Sequence, residues 1–185
     1  YPPVNIEYWK PEAVPRENFD LIVSALVPYK RIDLAIQAYN RMRRPLKIVG
    51  TGSECSLLNA QAGPTVELLG WQTDEVIRDL YRRCSALIFP GEEDFGLVPL
   101  EAMACGTPVV AYACGGALET VDAEKTGIFF KRQKAEDLMD AVHRCGQRTW
   151  DSAAIRRHAE QFGPDNFIRG LSVSIEQCLS DSERR

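Results

Sequence analysis

The sequence of 185 residues is long enough for one globular domain, and 45% of it is hydrophobic and 26% charged. The formal net charge is −4, and no run of five like charges occurs, which gives no electrostatic basis for binding nucleic acid or an anionic membrane surface. The apolar runs, such as 87–89 and 109–111, are far too short to span a membrane.

Residues 1–18 predict an extended linker rather than a helix or a strand. Four prolines interrupt this segment: Pro2, Pro3, Pro11 and Pro15. Each proline restricts its own backbone and that of the preceding residue, and the aromatic side chains of the segment are predicted to be exposed. The globular domain is therefore predicted to occupy residues 19–185.

From residue 19 onwards, short apolar runs alternate with segments of helical spacing. The predicted strands are 21–23, 46–49, 66–69, 86–89, 108–112 and 127–130. The predicted helices are 33–43, 53–62, 74–84, 98–104, 117–121, 135–146, 151–162 and 164–179. This alternation is typical of an α/β protein, so we expect a parallel sheet of about six strands with helices on both faces.

The six cysteines are scattered along the chain, and no two form a Cys-x-x-Cys pair. They are Cys55, Cys84, Cys105, Cys114, Cys145 and Cys178. This spacing predicts neither a metal site nor a disulfide framework. We expect reduced, mostly buried thiols, and hence a cytoplasmic protein.

In an open parallel sheet, ligands bind beyond the carboxyl ends of the strands. The segments that follow the predicted strands are rich in glycine and in charged residues, as expected for an anion site. They are 28–31, 50–53, 70–72, 90–96 and 113–116.

The Gly50-x-Gly52 turn is an incomplete dinucleotide fingerprint. Cys55 stands where the third glycine would be, and no acidic residue ends a strand about 20 residues further on. Two interpretations stay open: a tight turn from strand to helix, or a turn that approaches a phosphate.

The segment 91–101 places three acidic residues at the carboxyl end of a strand, directly before a helix. Glu93 on the loop and Glu101 on the helix could face one cleft, together with the free amides at the helix N-terminus. The alternative is a solvated acidic loop followed by a glutamate on the helix surface.

The stretch 93–111, EDFGLVPLEAMACGTPVVA, resembles the Glu-x7-Glu signature of the family 4 retaining glycosyltransferases, which have two Rossmann-like domains facing across a cleft. The resemblance extends from residue 1 to about residue 130 and includes the segments 1–4, 27–33, 48–52, 69–71 and 115–119. It implies a Rossmann-like, donor-binding C-terminal domain, with residues 1–18 as the interdomain linker. The acceptor-binding N-terminal domain is then expected to lie outside this chain.

The resemblance also implies roles for individual residues. Glu101 would accept hydrogen bonds from the donor ribose, Glu93 would contact the transferred sugar, and Lys30 would bind the diphosphate. The backbone amides expected around the sugar and diphosphate are those of Phe95, Gly96 and Leu97, and the other donor-binding residues expected are Trp71, Gln72, Gly115, Gly116 and Arg31. For Trp71, packing in the core is the alternative.

One position departs from the family pattern. Ala25 stands where the family usually has an arginine that provides a second cation for the diphosphate. Arg31 is the nearest candidate to replace it. The departure also favours an alternative function, a sugar-nucleotide-binding or partner-binding domain without turnover.

The expected activity is therefore the retaining transfer of a hexose from a nucleoside diphosphate sugar, without a metal or a cofactor. The linker and the segment 28–33 most resemble the mannosyltransferase branch, so GDP-mannose is the expected donor. The acceptor would be a glycan or a lipid-linked sugar, held by the other domain, and the full-length protein could associate with the inner face of a membrane. His143 and His158 are predicted to have surface or structural roles away from the cleft.

Overall fold

Six strands form one sheet in the computed structural model, which describes residues 1–182. The strands are β1 Asp20–Val23, β2 Leu46–Val49, β3 Val66–Gly70, β4 Leu87–Phe89, β5 Val109–Tyr112 and β6 Gly127–Phe130. They lie in the order β3-β2-β1-β4-β5-β6, and every neighbouring pair is parallel. The predicted Rossmann-like sheet is confirmed, and each predicted strand agrees with the observed one to within a residue at either end.

Within residues 1–182, eight α-helices connect the strands and follow them. They are α1 Ile32–Met42, α2 Cys55–Gln61, α3 Asp74–Arg83, α4 Leu97–Ala104, α5 Ala117–Thr120, α6 Ala135–Gly146, α7 Ser152–Glu160 and α8 Pro164–Ser182. A 3-10 turn, Pro28–Lys30, precedes α1. The predicted helix ends agree to within two residues, except that α8 continues beyond its predicted end.

Each face of the sheet packs against its own set of helices. Leu21 and Ile22 are both buried but belong to different clusters, because successive side chains of a strand point to opposite faces. Ile22 packs with Tyr39 of α1 and Leu138 of α6, whereas Leu21 packs with Tyr81 of α3. The helices α4 and α7 cover the same face as α3. The central strands β4 and β5 are therefore buried on both sides, which explains why they contain no charged residue, whereas the edge strand β3 has an exposed residue, Glu67.

The strand order reverses between β1 and β4. The chain continues from β1 to β2 on one side, and only the later connection into β4 places a strand on the other side of β1. The helices that follow β1 and β4, α1 and α4, lie on opposite faces of the sheet. In open parallel sheets, the carboxyl edge at such a reversal is where the ligand crevice is expected.

One carboxylate is buried at the opposite, amino end of the sheet. Asp20 is 0% exposed; it accepts a hydrogen bond of 2.7 Å from Tyr39 Oη and one of 3.1 Å from Arg44 Nη2. Burial raises the pKa of the Asp20 carboxyl group, and the charge of Arg44 opposes that increase. Arg44 thus compensates a charge that would otherwise be costly to bury.

The segment 1–18 has neither helix nor strand, but it packs closely against the domain. Val4 and Trp9 are buried, so the predicted exposure of the aromatic residues is wrong for Trp9. Arg16 donates to the carbonyl of Gly106, and Arg156 of α7 donates to the carbonyl of Trp9. The role of this segment as an interdomain linker stays a prediction.

All six cysteines are free thiols, and Cys84, Cys105 and Cys145 are buried. Burial raises the pKa of Cys105 and of Cys145 to about 12, so both thiols remain protonated at neutral pH. Within residues 1–182, no cluster of His, Cys, Asp and Glu side chains is arranged to hold a metal ion. None of the helices in that range is both long and apolar enough to cross a membrane.

Candidate functional site

Lys30 and Glu93 lie together at the carboxyl edge, although they are far apart in the sequence. Lys30 ends the 3-10 turn after β1, and its side chain forms an ion pair with the Glu93 carboxylate on the loop after β4. Lys30 is only 8% exposed, and this burial lowers the pKa of its ammonium group. The loops on both sides of the crevice therefore contribute one partner each to a partly buried ion pair.

The loop after β5 supports the loop that carries Glu93. The amide of Gly116 donates to the carbonyl of Glu93 at 2.7 Å. A Cβ atom at Gly115 would overlap the Glu93 carbonyl, and one at Gly116 would overlap the backbone of Phe95. Both glycines allow this close approach, which fixes the path of the β4–α4 loop; their predicted contacts with a donor stay predictions.

The helix α4 begins at this loop with its first amides uncapped. Gly96 is the N-cap residue, with φ of 84°, and no side chain accepts a hydrogen bond from the first turn. Free amides at a helix N-terminus carry a partial positive charge. Phe95, Gly96 and Leu97 thus present a backbone surface suited to an anion, on the same loop as Glu93, the partner of Lys30.

Glu101 lies on the second turn of α4. It is half-buried, and Tyr81 Oη of α3 donates a hydrogen bond of 3.1 Å to its Oε2 atom. Burial raises the pKa of the Glu101 carboxyl group, and the Tyr81 hydrogen bond lowers it. The alternative of fully solvated acidic residues is right for Glu92 and Asp94, which are exposed, but wrong for Glu93 and Glu101.

Trp71 and Gln72 follow β3 at the same edge of the sheet, two strands away from β1. Trp71 is 70% exposed, so the alternative of core packing is wrong. Gln72 is half-buried, and its Nε2 atom donates to the carbonyl of Leu69 at 2.8 Å. A large exposed ring beside a polar edge is available for stacking, but the structure does not bring either residue to Lys30.

The Gly50-x-Gly52 turn packs against the loop after β1. A Cβ atom at Gly50 would overlap the Ser24 carbonyl, and one at Gly52 would overlap the Leu26 carbonyl. The amide of Leu26 also donates to the carbonyl of Thr51 at 2.9 Å. These contacts support the interpretation of a tight turn, because they account for both glycines without a phosphate.

Arg31, the candidate for the second cation, is engaged by two side chains. Its guanidinium donates to both carboxylate oxygens of Asp33, at 3.1 and 3.2 Å, and to Gln133 Oε1 at 3.1 Å. Gln133 in turn donates to the carbonyl of Pro90. Ala25 is exposed. Gln133 was not predicted as part of the site, because it reaches this edge from the loop after β6 and no motif marks it.

Comparison with known proteins places the chain among glycosyltransferases. The sequence model of the family described as "Glycosyl transferases group 1" matches residues 5–161. An uncharacterized glycosyltransferase, MJ1178, of Methanocaldococcus jannaschii is 32% identical over 130 residues, which cover 68% of this chain and 37% of that protein. A D-inositol 3-phosphate glycosyltransferase of Mycobacteroides abscessus is 30% identical over 98% of this chain and 46% of its own length. This chain thus spans less than half the length of either relative.

Solved structures agree with the fold. Anabaena Alr3699/HepE in complex with UDP superposes with a TM-score of 0.83 at 21% identity, over 95% of this chain and 56% of that one. A glycosyltransferase from Rickettsia africae superposes with a TM-score of 0.81 at 20% identity, over 96% of this chain and 56% of that one. In both cases the likeness extends over almost the whole chain.

Proposed function

Because the chain belongs to the glycosyl transferases group 1 family, we propose that its carboxyl-edge site binds a nucleoside diphosphate sugar and serves the retaining transfer of its hexosyl group. The observation that carries this proposal is the partly buried Lys30–Glu93 pair beside the uncapped N-terminus of α4. A lysine is a suitable point charge for a phosphate, and helix-start amides add further donors.

The proposed chemistry depends on the charge of the leaving group. When the nucleoside diphosphate departs, the sugar carbon becomes oxocarbenium-like and negative charge develops on the diphosphate. Lys30 and the amides of Phe95, Gly96 and Leu97 would stabilise that charge, an electrostatic contribution that is often the largest in catalysis. Glu93 would then exchange its contact with Lys30 for one with the sugar, and Glu101 would accept hydrogen bonds from the ribose.

The proposal also concerns the identity of the donor, that is, its sugar and its base. GDP-mannose is the donor that the sequence resemblance favours. The HepE structures, in contrast, are described as complexes with UDP, with UDP and glucose, and with UDP-glucose. Both bases therefore belong in the first experiment. The acceptor, a hydroxyl group of a glycan or of a lipid-linked sugar, is proposed from the resemblance alone.

Calorimetric titration of the chain with UDP, GDP, UDP-glucose and GDP-mannose tests the proposed function. Each titration is run with magnesium and again with a chelator, and uridine and guanosine serve as controls without a diphosphate. We expect at least one nucleoside diphosphate to bind at least tenfold more tightly than its nucleoside, because charge-assisted contacts contribute about 1.5–3 kcal/mol. The chelator should not change this affinity. Absence of binding, or a strict requirement for magnesium, would contradict the proposal.

Glu101→Gln and Glu93→Gln should have different effects on affinity. Glu101→Gln should weaken the binding of the free nucleoside diphosphate roughly tenfold, since a hydrogen bond to a charged group contributes about 1.5–3 kcal/mol. Glu93→Gln should leave that affinity undiminished, because it removes the competing carboxylate from Lys30, while it should weaken the binding of the sugar nucleotide. Glu92→Gln, at an exposed glutamate just before Glu93, is the matched control. Equal losses in both variants would show that the two roles are misassigned.

The alternative function, sugar-nucleotide binding without turnover, is favoured by Ala25. Ala25→Arg restores a cation after β1 at an exposed position. It should tighten binding of the nucleoside diphosphate about twofold to fivefold, because an exposed ion pair contributes up to about 1 kcal/mol. Ala25→Gln is the neutral control, and the nucleoside alone should not respond. An unchanged diphosphate affinity would indicate that Arg31 already supplies the second cation.

A further inference from the structure

Three aromatic rings meet at the back of the donor loop, the segment 93–97. The ring of Phe95 stacks on that of Tyr1, with centroids 5.2 Å apart and planes 17° from parallel. Phe162, directly after α7, contacts both rings, with centroids 6.2 Å from Phe95 and 5.8 Å from Tyr1. Phe95 is thus in contact with residues from two segments that are distant from it in the sequence, one before β1 and one after α7.

The backbone of Phe95 is held by the loop after β5. Its Cα and carbonyl pack against Gly116 so closely that a Cβ atom there would overlap them. The next residue is Gly96, the N-cap of α4. The ring contacts with Tyr1 and Phe162 thus add a second anchor for the residue that directly precedes this N-cap, where the proposed diphosphate donors lie.

The rings that hold Phe95 are themselves anchored. The carbonyl of Phe162 accepts a hydrogen bond of 2.9 Å from the amide of Val4. The Phe162 ring also contacts His158, whose Nε2 atom lies 2.8 Å from the carbonyl of Thr120 at the end of α5. A hydrogen bond to the Glu119 carboxylate raises the pKa of the Tyr1 hydroxyl group. The N-terminal segment, α5 and α7 thus all brace the same loop.

We propose that Phe162 is a positioning residue for the donor loop: it holds the Phe95 ring, and so keeps the first amides of α4 in the arrangement that binds the diphosphate. This inference rests on the proposed function and extends it to residues that do not contact the donor. His158 contributes by supporting Phe162, although it lies outside the crevice.

Phe162→Ala tests this inference, in the same calorimetric assay. The loss of an aromatic contact of this kind changes an equilibrium constant roughly 2- to 10-fold. The affinity of the variant for the nucleoside diphosphate should therefore be lower by that factor. Its affinity for the nucleoside alone should not change, because the loop faces the diphosphate. Phe162→Tyr, which keeps the ring, should restore the wild-type ratio between the two ligands. Ile175→Ala, at an exposed apolar position further along α8, is the control and should leave both affinities unchanged.

The ratio of the two affinities separates positioning from general destabilisation. Equal losses for nucleoside and diphosphate, or no loss for either, would overturn the inference. If Phe162→Ala does not fold, Phe162→Leu replaces it, with the same expected ratio and the same contradicting results. The wild-type titration alone decides the proposed function: without nucleotide binding, both proposals fail, whereas binding with an unchanged ratio in the variant refutes only this one.

Discussion

Lys30→Met should reduce the affinity for a nucleoside diphosphate by roughly 10- to 100-fold, because it removes a charge-assisted contact worth about 1.5–3 kcal/mol. The affinity for the nucleoside should stay within about twofold of wild type, since the base and ribose contacts are retained. Burial lowers the pKa of the Lys30 ammonium group. As the pH rises, the affinity of the wild type for the diphosphate should therefore begin to fall at a lower pH than it would if the lysine were exposed.

Lys131→Met is the matched control for this experiment. Lys131 is an exposed lysine on the loop after β6, at the same edge of the sheet. If the net charge of that edge attracted the diphosphate, both variants would lose affinity to a similar degree. A position-specific loss at Lys30 is the expected result, and equal losses would contradict the assignment of Lys30.

Arg44→Met should be among the most destabilising substitutions in the domain. It leaves the Asp20 carboxylate buried without its charge partner, a change that typically costs about 3–5 kcal/mol. For a chain of this size, such a loss lowers Tm by roughly 6–20 °C. Arg41→Met is the control, because Arg41 pairs with Glu136 at the exposed surface, where a pair contributes about 0–1 kcal/mol.

The cost of Arg44→Met should depend on pH in a defined direction. Burial raises the pKa of Asp20, and removal of Arg44 takes away the main influence that lowers it. The penalty is therefore absent below the unfolded-state pKa, where the carboxyl group is protonated in both states, and it develops as the pH rises towards the higher folded-state pKa. Denaturant unfolding at several pH values measures this; a penalty that does not shrink in acid would contradict the explanation.

The Asp20→Asn/Arg44→Met double variant separates charge from packing. If the uncompensated charge is the cause, the neutral amide should recover most of the lost stability at pH 7. If the double variant is as unstable as Arg44→Met, lost packing of the arginine side chain is the cause instead.

The sheet could be predicted from the sequence because its signals are local. Each central strand is a short, largely apolar segment followed by glycine, proline or a small residue, as in 87–89 before Pro90 and 109–112 before Ala113. The parallel arrangement follows from the alternation with helices, and it places the ends of all strands on one edge. The candidate site could be located for the same reason, without any knowledge of its ligand.

Contacts between distant residues could not be predicted in this way. The burial of Trp9 against Tyr81 and the contact of Phe95 with Phe162 bring together segments that are about 70 residues apart in the sequence. Gln133 reaches Arg31 across about a hundred residues of sequence. No periodicity or spacing encodes such contacts, because they depend on how the helices pack once the sheet has formed.

The burial of the Asp20 carboxylate could not be predicted from local sequence either. Asp20 precedes the apolar residues of β1, so local pattern favours an exposed strand end. It is buried because Tyr39 of α1 and Arg44 after α1 supply the hydrogen bonds that compensate its charge. The sequence contains all three residues, but only the packing of α1 on the sheet brings them together.

The most direct test of the central claim is to map nucleotide binding onto the backbone by NMR. A ¹⁵N-labelled chain with assigned amides is titrated with UDP-glucose and with GDP-mannose. We expect at least one donor to shift the amides of Phe95, Gly96 and Leu97 and that of Lys30, while the amides of α8 and of the β6 edge stay unchanged. Shifts confined to other parts of the domain, or no shifts with either donor, would contradict the assignment of the carboxyl edge as the site of a nucleoside diphosphate sugar.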